Sequence, residues 1–74
     1  MATIVRASCV GEIGETAGKI WHVLDLKGSQ SIAKLVKEID DTPRDVIMQA
    51  LGWLAREDKL EIEEDGRSRI VSLR

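Results

Sequence analysis

One cysteine, one histidine and one proline occur in this chain, and neither phenylalanine nor tyrosine does. A lone cysteine, Cys9, excludes an internal disulfide. With His22 as its single histidine the chain also lacks the ligand set of a structural zinc site. No run approaches the roughly 20 apolar residues of a membrane helix. Residues 1–10 hold one basic residue and no long apolar core, so they do not read as a signal peptide. These absences lead us to expect a cytoplasmic protein.

Excess positive charge is missing too. The chain carries 11 basic and 13 acidic residues, a net charge of -2. The deficit falls within residues 29–58, which hold four basic and six acidic residues. A nucleic-acid binder commonly shows a basic stripe in its sequence, and none is visible here.

Catalytic groupings are equally scarce. Cys9 and His22 make up the one pair of nucleophile and imidazole base, and nothing places a third group or an oxyanion site beside them. The carboxylates stand in mixed-charge runs. Gly11, Gly14 and Gly18 lack the Lys and Ser/Thr of a phosphate loop. The expectation is a non-enzyme without metal or cofactor.

What is present is a core pattern. Seventy-four residues allow one domain. Their hydrophobic fraction of 43% comes mostly from Ile, Leu, Val and Ala, with Trp21 and Trp53 as the sole aromatics. Residues 1–10 show no helical period, and read as an N-terminal arm: an extra edge strand, a swapped segment or a disordered tail. The domain proper is expected over 11–74.

Ile13, Ala17, Ile20, Trp21 and Leu24 repeat at helical spacing, which predicts a first helix over 12–27, closed by Gly28. Gln30 to Ile32 reads as an extended link. Ser31 suits the N-cap of a second helix over 32–39, whose face is Ile32, Leu35, Val36 and Ile39. Thr42, Pro43 and Asp45 resemble a capping box opening a third helix over 43–58. Its inward face is Val46, Ile47, Ala50 and Leu54, with Leu51 and Trp53 at the margins.

Residues 59–63 and 67–73 are strand-like, and Asp65-Gly66 between them signals a hairpin. A two-residue loop places Leu60 opposite Val71, and a three-residue loop places Ile62 opposite Ile70. The predicted core is Ile20, Trp21, Leu24, Leu35, Ile39, Ala50, Leu54 and Leu60. Three helices followed by a two-stranded antiparallel wing make an α+β winged helix-turn-helix.

Ile20-Trp21, Ile32-Ala33-Lys34-Leu35 and the stretch Ala50-Leu51-Gly52-Trp53-Leu54-Ala55-Arg56-Glu57-Asp58-Lys59-Leu60 resemble a family of small prokaryotic winged helix-turn-helix proteins of unknown function. The likeness spans roughly 12–73. It implies the fold and, by analogy, a regulator of transcription; it implies no ligand. Where many regulators have Gly before the wing, this chain has Asp58.

On the third helix, Asp45, Met48, Gln49, Gly52 and Arg56 face outward, flanked by Arg44. In a DNA-binding winged helix that face enters the major groove. Arg44 and Arg56 suit guanine edges or phosphates, and Gln49 suits adenine. Arg67 and Arg69 follow the wing turn, where arginines meet phosphate or the minor groove. Cross-strand pairing with Glu61, Glu63 and Glu64 accounts for the same two arginines without a ligand. Met48, Gly52, Gly14 and Gly18 are interface candidates, since an exposed Met and small residues admit a partner backbone. Two readings therefore stand. One is a DNA-binding module using Arg44, Gln49, Arg56, Arg67 and Arg69. The other is a protein-interaction or dimerisation module. No membrane and no small-molecule partner is indicated.

Overall fold

A computed structural model describes the backbone of residues 2–74 and the side chains from residue 10 onward. The Cys9 side chain lies outside the described residues. The order is α1 (Ala2–Lys27), β1 (Gln30–Ser31), α2 (Ile32–Glu38), α3 (Arg44–Arg56), β2 (Leu60–Asp65) and β3 (Ser68–Leu73). This is a winged helix-turn-helix of α+β class. Among the described residues, no helix is long and apolar enough to cross a membrane.

α1 begins ten residues before the helix expected from periodicity, so the backbone of residues 2–10, within the stretch read as an N-terminal arm, is helical. The β-branched Thr3, Ile4 and Val5 disfavour helix only mildly. Extending a formed helix adds one hydrogen bond per residue without a new nucleation cost. At the other end Gly28 takes φ +80° and its N–H donates to Leu24 C=O at 2.9 Å. That single bond is the left-handed glycine stop expected from sequence.

Ser31 caps α2 as expected, its Oγ accepting from the Lys34 N–H at 3.1 Å. The opening of α3 differs. Pro43 occupies the N-cap with no side-chain cap, while the Thr42 hydroxyl donates to Asp41 Oδ1 at 3.0 Å. Thr42 is thereby drawn away from the helix end. Asp45 does not reach back to close a box but accepts from the neighbouring Val46 N–H at 3.0 Å. Its carboxylate still lies in the first turn, where the helix dipole favours negative charge.

The sheet has three strands in the order β1-β3-β2, one more than the two-stranded wing expected. The extended link before α2 pairs antiparallel with β3 as Gln30↔Val71 and Ser31↔Ile70. In the wing Leu60 faces Leu73, Ile62 faces Val71 and Asp65 faces Ser68, which corrects both registers considered from sequence. The two loop residues are Gly66 and Arg67. Gly66 has φ +64° and Arg67 does not share the positive φ, the pattern of a turn with glycine at its first central position.

The core gathers Ile20, Leu24, Leu35, Ile39, Ile47, Ala50, Leu51, Leu54, Leu60 and Val71, all buried. Seven of the eight residues named from sequence are among them. Trp21 is not: it is 39% exposed, and Trp53, at 49%, is exposed as well. The buried arc of α1 is instead centred on Ile20 and includes Thr16. Thr16 satisfies its hydroxyl by donating to Glu12 C=O at 2.8 Å, so a polar residue occupies a core position without an orphan group.

Candidate nucleic-acid interface

The second and third helices of this fold meet the wing at a cleft of about 300 Å³. Arg44 and Met48 enter it from α3, Arg67 and Arg69 from the wing, and Ile32 from the first turn of α2. Two structural events converge the three arginines. Pro43 starts α3 at a point that puts Arg44 and Met48, one turn apart, on the side facing the wing. Gly66 then closes the hairpin so that Arg67 sits in the turn itself and Arg69 two residues along β3.

The cleft has an apolar strip with guanidinium groups around it. Met48 is 38% exposed, and Ile32 is nearly closed off. Among the described residues, neither Arg44 nor Arg67 forms an ion pair, whereas Arg69 Nη2 stands 3.7 Å from Glu64 Oε2. That pair is well exposed on both sides and long. It is worth little and yields readily to an incoming anion. Guanidinium forks suit phosphate oxygens, so the arrangement can seat a phosphodiester across its mouth.

Gln49 and Arg56, assigned with these arginines from sequence, are exposed on α3 but do not line the cleft. Gly52 shares their outer face, and a Cβ built there meets nothing within 4 Å. The negative side of the wing is β2, where Glu61, Glu63, Glu64 and Asp65 are all exposed. Charge is therefore sorted across the hairpin, with acid on β2 and base on the turn and β3. A net charge of -2 hides this separation.

A second groove, about 350 Å³, opens between α1 and α3. Gly18 and Trp21 line one wall, Trp53 and Glu57 the other, with Lys59 at the end. The sequence pattern counted Trp21 in the core and set Trp53 at the margin of the α3 stripe. The available signal was their position at the margins of the two apolar stripes, which sets the rings between interior and surface. Trp21 also meets His22 edge to face, with ring centroids 5.9 Å apart. Gly14 and Gly18, like Gly52, leave open space where a Cβ would be.

Comparisons with known proteins agree with this architecture. A family model described as a winged helix-turn-helix domain (DUF2582) matches residues 9–73. The uncharacterized protein MJ1608 of Methanocaldococcus jannaschii is 38% identical over 66 residues, covering 86% of this chain and 93% of that protein. The solution NMR structure of protein BT2368 from Bacteroides thetaiotaomicron superposes with a TM-score of 0.74 at 32% identity, over 85% of this chain and 76% of that one.

Proposed function

This chain belongs to the DUF2582 winged helix-turn-helix family, and from that premise we propose that it binds duplex DNA as a regulator of transcription. The observation that carries the reading is the convergence of Arg44, Arg67 and Arg69 on one cleft between α3 and the wing. These three are the phosphate-contacting residues. They position the domain, while Gln49 and Arg56 on the outer face of α3 offer the side chains that read base edges. Gly52 between them admits close approach of the groove wall. The role is binding, without catalysis.

The acidic β2 strand limits the affinity by repelling the backbone on one side of the wing. It also orients the domain, since a duplex entering the cleft is steered away from Glu61, Glu63 and Glu64. Titration of labelled mixed-sequence duplex at about 50 mM and 200 mM salt tests the proposal, because phosphate-driven affinity falls steeply across that interval. Binding at the lower salt that weakens sharply at the higher is expected. No binding at the lower salt rejects DNA as the ligand. A protein-interaction role, favoured by the exposed Trp21–Trp53 groove, then becomes the leading reading.

A further inference from the structure

We infer that the Trp21–Trp53 groove is the self-association surface of this protein, occupied by a second copy of the same chain in an antiparallel α1–α1 pairing. Closed dimers use the same patch on both copies, so the patch must complement itself. Charge argues against two other surfaces of the domain. β2 lies at the edge of the sheet, and two such strands side by side would bring Glu61, Glu63, Glu64 and Asp65 against their own kind. Two clefts brought together would oppose Arg44, Arg67 and Arg69 to three more arginines. The groove between α1 and α3 instead has one acid, Glu57, and one base, Lys59, among its lining residues. A two-fold axis can set each Glu57 toward Lys59 of the other copy.

Shape agrees with charge. Val10, Gly14, Gly18 and Trp21 recur at i, i+4, i+8 and i+11 and so lie along one side of α1. Val10 is 55% exposed, and the space beyond Gly14 and Gly18 is open. Two α1 helices crossing antiparallel at Gly18 approach closely there, and Trp21 of each copy lies beside Gly14 of the other. A large ring thus meets the place where a side chain is missing.

With 39% and 49% exposure, the two indoles offer roughly 220 Å² per copy, taking about 250 Å² for a whole Trp. That exceeds a quarter of the roughly 800 Å² per partner of a standard interface. The strip along α1 and the stem of Lys59 supply further contact.

Light scattering on the full chain from tens to hundreds of micromolar, without nucleic acid, tests the inference. The mass should rise from the monomer's 8.2 kDa toward twice that value and should change little with salt. Trp53→Glu should hold the protein at monomer mass. Gly18→Lys should do the same, and it replaces an open helical glycine, so its fold is protected even if Trp53→Glu proves unstable. A wild-type protein that stays monomeric at the highest concentration overturns the inference. So does a dimer that persists when Gly18→Lys, shown folded by circular dichroism, is weighed in the same way.

Discussion

Arg74 donates a 2.8 Å hydrogen bond from Nη1 to Oδ1 of Asp58, the residue at which α3 turns into the wing. Asp58 has φ +62°, and around it the Asp58 N–H donates to Ala55 C=O and the Lys59 N–H to Leu54 C=O. The two bonds form a left-handed helix stop of the kind glycine usually occupies. Asp tolerates that conformation better than most residues but not without cost.

Asp58→Gly and Asp58→Ala both lose the Arg74 contact, an exposed pair of small worth. Glycine alone relieves the left-handed backbone. The glycine variant should therefore be the more stable of the two by about 1 kcal/mol, the order of the penalty for an L-residue there. Urea midpoints measure the difference, and an alanine variant that equals or exceeds the glycine variant contradicts it.

Leu54 and Trp53 are adjacent on α3 but face different surroundings. Leu54 is 5% exposed in the centre of the core, and Trp53 is half exposed at the groove. Leu54→Ala should cost about 2–5 kcal/mol, a large part of the ~5 kcal/mol expected of so small a domain. Trp53→Ala should cost less in the monomer although it removes more atoms. Equal losses in dilute urea titrations would mean that the indole supports the core after all.

The contrast shows where sequence is legible. Apolar periodicity identified the core faces of all three helices because burial repeats with the helical turn. It misjudged Trp21, since a polar Thr16 with an internal hydrogen-bond partner rotates the buried arc of α1 away from the ring. The hairpin was evident from its turn residues, but its register was not. Leu60 opposite Val71 and Leu60 opposite Leu73 differ by two residues and keep the same side chains on the same face, so alternation cannot distinguish them. The pairing of Val71 with Gln30 joins distant residues through packing that the local pattern does not encode. For the candidate site, each arginine was visible singly. Their convergence depended on the hairpin register and the start of α3.

Acid pH should expose one contact between α1 and the turn before α3. Lys19 Nζ lies 3.0 Å from Asp41 Oδ2, and its hydrogen bond, followed by that of Thr42, holds the Asp41 carboxyl below its ordinary value of 3.8. A carboxylate depressed in the folded state contributes stability above the unfolded value and loses it as pH falls through the folded one. The contribution is therefore fully present at neutral pH and declines below about pH 4. Carboxyl NMR titration should give Asp41 a midpoint under 3.8, and Lys19→Met should raise it. An unchanged midpoint in that variant would remove Lys19 as the cause.

The division of labour on the proposed DNA surface follows from which side chains share the cleft. Arg44, Arg67 and Arg69 sit together at one end of α3, while Gln49 and Arg56 lie on its outer face. Arg44→Ala or Arg67→Ala should weaken binding to every duplex alike and reduce the salt slope by about one unit, because a phosphate contact releases counterions without reading sequence. Arg69→Ala should do less, since the Glu64 carboxylate 3.7 Å away offsets part of its charge toward a phosphate. Glu64→Gln should then strengthen binding by removing that offset. Gln49→Ala should leave the salt slope unchanged and alter preference at one base position, as expected for a contact to a base edge. A selection from random duplexes, followed by salt titration of each variant, separates these outcomes. If Gln49→Ala changes the slope while Arg44→Ala changes the selected sequence, the two faces have exchanged roles, and the cleft rather than the outer face of α3 enters the groove.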